Sequence, residues 1–122
     1  MKYMLLTYLD EKAWGELGET EQERVISECN PHIENLLKNG KLLAGAPLHP
    51  TSTATTLRLQ DGKRLVTDGP FAETREQLGG YTLLEADNLD EAIAIAGKFL
   101  GRSFPTAIEI RPIRDFPGTP SH

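Results

Sequence analysis

Cysteine is almost missing from this chain: Cys29 is the only one among 122 residues. A lone cysteine forms no internal disulfide and no thiolate metal cluster, which fits a reducing compartment. It is expected to be a small buried hydrophobe on a helix, with no obvious cation or helix start beside it to activate a thiolate. Long apolar runs are absent too, and none approaches the ~18 residues that span a bilayer. The opening MKYMLLTYLDEKAWGE has a short apolar run with acidic flanks and no small-residue cleavage site. That is the pattern of a first strand, not of a signal peptide. Positive charge is in deficit, with 13 Lys and Arg against 18 Asp and Glu, a net charge of −5. The basic residues are scattered, whereas phosphate neutralisation needs them banked together, so nucleic acid is not an expected partner. No membrane partner is expected either, and a cytoplasmic location is. Repeats and low-complexity segments are lacking. Only the final PGTPSH looks loose, so a single domain over residues 1–116 and a tail over 117–122 are expected.

What is present is ordinary globular material, 39% hydrophobic and 25% charged, ample for one core. Residues 3–9 form a strand candidate with apolar side chains on both parities: Tyr3, Leu5 and Leu9 against Met4, Leu6 and Tyr8. Such a strand needs both faces covered. Thr20 with Glu23 reads as a capping box. Val25, Ile26, Cys29, Ile33, Leu36 and Leu37 then follow at helical spacing until Asn39-Gly40. Pro31 interrupts that pattern, which predicts a kink or a restart capped by Asn30. A second strand is expected over 41–48. Asp61-Gly62 between ATTLRLQ and KRLVTD is a two-residue hairpin signal that places Leu57 opposite Val66. GGYTLLEA is another strand. Asn88 with Glu91 caps a helix whose stripe is Leu89, Ala92, Ile93, Ala96, Phe99 and Leu100. AIEIRPI is the last strand.

The order is βαββαβ with a hairpin inserted in the middle, an α+β ferredoxin-like plan. Both helices are expected on one sheet face over Ile108 and Ile110, leaving Glu109 and Arg111 on the other. The simplest cover for that second face is another copy of the chain, sheet against sheet.

The stretch VTDGPFAETREQLGGY is the least ordinary part. Gly69 before Pro70 is pushed towards extended or glycine-only backbone. Pro70 lacks the N–H that would close an Asx turn onto Asp68, so that carboxylate is expected to keep free capacity and face a cavity. Phe71 is expected to anchor the loop in the core. Thr74 with Gln77 reads as a capping box for a short helical turn stopped by Gly79-Gly80. A loop pinned this way displays Asp68, Glu73 and Arg75.

TDGPFAETREQLGGY, with LDEAIAIA and IEIRPI after it, resembles the YCII-related family in its DGPF-motif branch. The resemblance runs from MKYMLLTYLDE to RPI. It implies a ferredoxin-like domain that dimerises through its sheets into an α/β-barrel-like assembly. It also implies a pocket at the dimer sheet, proposed as an active site with a His–Asp pair. One distant member group dechlorinates hydroxylated aromatics, and DGPF members often accompany extracytoplasmic-type sigma factors. GKFLGRSFPTAIEIRPI departs from the pattern by lacking a short proline turn straight after the second helix.

The candidate acid–base residues are therefore Asp68, His32 and His49. His suits proton transfer near neutrality, and either histidine paired with Asp68 would be an oriented base. The plain alternatives are a half-exposed structural role for His32 and a surface position for His49. Candidate ligand contacts are Glu73, Arg75, Tyr81, Glu109 and Arg111. Glu109 and Arg111 share a face and serve either a cross-strand ion pair or, through Arg111, a planar anion. Tyr81 either stacks on an aromatic ligand or packs in a dimer seam. Three histidines in unrelated contexts make no metal site, and no motif calls for a cofactor. The expected function is a small-molecule-binding homodimer acting as a cofactor-free lyase or isomerase. A ligand-sensing or transcription-linked accessory protein and a purely structural dimer module are the alternatives.

Overall fold

The computed structural model describes residues 1–114; the tail expected over 117–122 lies outside the described residues. Strand β1 (Lys2–Asp10) leads into three helices, α1 (Glu11–Glu16), α2 (Glu19–Ser27) and α3 (Asn30–Lys38). Strand β2 (Leu42–Pro47) and a single 3-10 turn (Thr51–Thr53) follow. Next come β3 (Thr55–Gln60), β4 (Lys63–Asp68), β5 (Glu76–Glu85), α4 (Leu89–Phe99) and β6 (Ala107–Pro112). Four strands form one antiparallel sheet in the order β2-β5-β1-β6, and β3-β4 stand apart as a hairpin. This is an α+β fold whose strand order follows the ferredoxin-like plan.

The alternation of β1 divides the molecule. Tyr3, Leu5 and Leu9 are buried on the helix side. Leu5 and Leu84 meet Cys29 and Leu36 from the first helical segments and Ile95, Ala96 and Phe99 from α4, with Ile108 and Ile110 packed against them. Met4, Leu6 and Tyr8 point the other way, in register with Leu83, Tyr81, Glu109 and Arg111. The core contacts of α3 and α4 lie on the first face, and among the described residues no helix is long and apolar enough to cross a membrane.

Several local expectations are corrected. An extra helix, α1, starts at Asp10, whose Oδ1 accepts from the Ala13 N–H at 3.1 Å. Thr20 does not cap α2; that helix begins at Glu19, and Gly18 at φ 80° stands in the cap position without a side-chain bond. At Pro31 the helix restarts rather than kinks, but Cys29, not Asn30, holds the cap position, and Pro31 sits in the first turn, where its missing N–H costs nothing. Asn88 does cap α4, accepting from the Glu91 N–H at 2.9 Å. The Glu91 carboxylate instead takes the Asp87 N–H and the Lys41 ammonium. The buried face of α4 is Ala92, Ile95, Ala96 and Phe99, while Ile93 is 51% exposed.

The hairpin matches its expected register, Leu57 opposite Val66. Asp61 and Gly62 both have positive φ, 52° and 74°, as a type I′ turn requires. The Thr74–Gln77 capping box and helical turn do not form. β5 begins at Glu76 and runs through Gly79-Gly80. These glycines serve close approach: a Cβ on Gly79 would stand 3.2 Å from the Leu9 side chain, and one on Gly80 would stand 3.1 Å from the Ala46 carbonyl. Phe71 does not plug the core. It is 75% exposed, with the Arg58 guanidinium over its ring at 5.0 Å.

Candidate functional site

Where β1 becomes α1, the chain must turn with its helix N–H groups unsatisfied. Asp10 meets that need with one oxygen and accepts from Arg75 Nε at 3.2 Å with the other. The Ala13 N–H, and after it Arg75, hold the Asp10 carboxyl below the usual carboxylate range. Glu11, the next residue, reaches the 3-10 turn. Its carboxylate accepts from the Thr51 N–H at 2.9 Å and from the Thr51 hydroxyl. Two consecutive acids thus tie the end of β1 to two loops distant in sequence.

The loop after β4 is shaped from within. Gly69 lies at φ 107°, in the region that favours glycine. Its N–H donates to Ala54 O at 2.8 Å, and its carbonyl accepts from the Thr56 hydroxyl at 2.8 Å. Farther on, the Thr74 hydroxyl donates to Glu76 O, and Gln77 Nε2 donates to Ala72 O at 2.9 Å and to Thr74 O. The loop consequently presents its polar side chains from a fixed backbone.

Between these parts lies an open cleft of about 610 Å³. Asp10, Glu11 and Lys12 form one wall, Thr51 and Ser52 a second, and Gly69, Pro70, Glu73, Thr74, Arg75 and Gln77 the third. Among the described residues, the side chains of Glu73 and Lys12 enter no hydrogen bond or ion pair, and both Nη groups of Arg75 lack a protein partner. The cleft therefore offers two cations and an acid with unused capacity beside three hydroxyl-bearing side chains, Thr51, Ser52 and Thr74. This arrangement suits a small polar molecule with an anionic group.

The expected site residues separate into five places. Glu73 and Arg75 are brought together in the cleft. Asp68 ends β4, exposed and opposite Thr55, outside the cleft lining but immediately before Gly69. His49 is exposed in the segment that leads to Thr51. His32 is on the helix side of the sheet, half-buried, with Nε2 3.0 Å from Ile95 O and its ring edge-on to Phe99 at 4.6 Å. Among the described residues no histidine bonds a carboxylate.

Glu109, Arg111 and Tyr81 are on the open sheet face. Glu109 accepts from the Tyr8 hydroxyl at 3.2 Å and forms no ion pair among the described residues. Partial burial, and then the Glu109 carboxylate, push the Tyr8 phenol above its ordinary range. Sequence reasoning missed Asp10, Glu11, Lys12, Thr51 and Gln77 as site residues, and read Tyr8 only as apolar. The signal available was DEK directly after an apolar strand, since a strand end is where rigid scaffolds display polar groups.

Residues 1–117 match the YCII-related domain. An uncharacterized protein of Rhizobium meliloti (strain 1021) is 39% identical over 115 residues, which cover 93% of this chain and 92% of that protein.

Proposed function

This chain belongs to the YCII-related family, and from that premise we propose that it is a small-molecule-binding homodimer of the DGPF-motif branch, acting in the cytoplasm. The observation that carries the reading is the cleft: Arg75, Lys12 and Glu73 converge with spare bonding capacity around a space of about 610 Å³. Arg75 and Lys12 hold the anionic group of the ligand, and Glu73 with the Thr51 and Thr74 hydroxyls reads its remaining polar atoms. Homodimerisation through the open sheet face, in the manner of an α/β barrel, covers Met4, Leu6 and Tyr8 and brings Tyr81, Glu109 and Arg111 against the second copy.

The reaction proposed is proton transfer without a cofactor, of the lyase or isomerase kind, on a small and preferably aromatic acid. His49 and Asp68 flank the cleft, two residues before Thr51 and one before Gly69, and supply the acid–base pair for a ligand held there. His32 is assigned to packing, because Ile95 O and Phe99 already occupy it.

A second reading is supported by the absence, among the described residues, of a contact between a histidine and a carboxylate: ligand sensing without chemistry, linked to transcription control. Thermal denaturation with a panel of small carboxylates, 4-hydroxybenzoate included, tests the shared part of both readings. A stabilising carboxylate should lose its effect in Arg75→Gln while the melting temperature without ligand stays close to the parent value. An unchanged ligand response in that variant would sink the cleft. Turnover of the bound acid by the parent protein, lost in His49→Gln, separates enzyme from sensor.

A further inference from the structure

The β3–β4 hairpin is built as if it should not be alone. Leu57, Leu59 and Val66 are 60%, 78% and 66% exposed, and the sheet and helices of the same chain leave them bare. Its hydrogen bonds beyond the strand ladder stay at its own base, from Gly69 to Ala54, Thr56 to Gly69 and Arg58 to Phe71. Two strands without cover are marginal in water, and a solvent-facing strand surface is ordinarily polar.

The order of residues on the bare face says what covers it. The pairing of Thr55 with Asp68, Leu57 with Val66 and Leu59 with Arg64 puts these six on one side of the ribbon. Val66 is midway between Arg64 and Asp68 on β4. A two-fold axis crossing the ribbon at the Leu57–Val66 rung therefore sets Arg64 of each copy over Asp68 of the other. The same operation stacks Leu57 and Val66 on their own counterparts and Leu59 on Thr55. An axis along the strands would instead put both charges against neutral side chains. The surface is self-complementary in one arrangement, with an apolar centre and a salt bridge at each end, as an isologous contact requires.

We infer that the hairpin is an intersubunit clasp whose occupant is the same hairpin of a second copy. This goes beyond the cleft reading and does not depend on the cleft binding anything. If both hold, Arg64 of the second copy stands over Asp68 beside the cleft mouth, so the mouth is complete only in the pair.

Sedimentation velocity of the full chain tests it, with circular dichroism to check that each variant folds. Arg64→Asp and Asp68→Arg should each weaken self-association about tenfold or more, by setting like charges together. The double variant Arg64→Asp/Asp68→Arg should associate again to within about threefold of the parent, because the pairs re-form with reversed sense. Leu57→Lys should dissociate the clasp without altering either charge. Lys63→Asp, on the opposite side of the ribbon, should leave association unchanged. Single reversals that associate like the parent, a double variant that fails to recover, or a parent that is monomeric would overturn the clasp.

Discussion

Asp10 serves two bonds at once, and its pH behaviour follows from them. The Ala13 N–H and Arg75 favour its charged form, so its folded-state pKa lies below the unfolded value of about 4. A depressed carboxyl contributes stability that is fully present above the unfolded value and lost as pH falls through the folded one. Acidification below pH about 4 should therefore loosen α1 and the Arg75 side of the cleft together. Asp10→Asn keeps a good helix cap but drops the charge. Its melting temperature should accordingly fall less between neutral and acid pH than that of the parent, which thermal melts across that range measure. Equal acid sensitivity in both would show that Asp10 is not the group responsible. Part of this was readable beforehand, since the acids after the first strand stand out in the sequence. Their partners were not, because Thr51 and Arg75 are 40 and 65 residues away from Glu11 and Asp10. Phe71 shows the same limit from the other side. An aromatic in a pinned loop is ordinarily an anchor, yet here Arg58 holds it outside the core.

For whole elements, periodicity identified the strands, the hairpin register and the existence of α4, because alternation and turn chemistry are local properties. It misjudged which residues of α4 face inward. Ile93 and Ile95 are both consistent with an apolar stripe, and only the docking angle on the sheet buries Ile95, 8% exposed, and leaves Ile93 out. Ile95→Ala should cost roughly 2–5 kcal/mol, whereas Ile93→Ala should stay within roughly 1 kcal/mol. Urea unfolding of the two variants compares them directly, and equal losses would mean the helix is rotated from the described orientation. The Gly-Gly step failed as a helix stop for a related reason: a glycine needed for close approach looks the same in sequence as one needed for a left-handed turn. Gly45 on β2 makes the point testable. A Cβ there would lie 2.9 Å from the Tyr81 backbone oxygen, so Gly45→Ala should destabilise by roughly 1–3 kcal/mol by forcing β2 and β5 apart. A neutral effect in the same urea measurement would show that β2, an edge strand, yields without strain.

On the scale of the whole molecule, the sequence conveyed the helix layer on one side of the sheet, because alternation along the strands marks the face that Leu5, Ile108 and Ile110 share. It did not convey the cleft, which exists only where the β1–α1 junction, the 3-10 turn and the loop after β4 converge. It also left open which of two surfaces takes the ligand, the cleft or the open sheet face with Tyr8, Glu109 and Arg111. Amide proton–nitrogen correlation spectra recorded during titration with whichever small carboxylate most stabilises the protein decide between them. The cleft account expects the shifted amides to cluster at residues 10–12, 51–52 and 69–77, with residues 4–8 and 107–111 unmoved. Shifts concentrated on β1 and β6 at the open sheet face, with the loop after β4 silent, would contradict it.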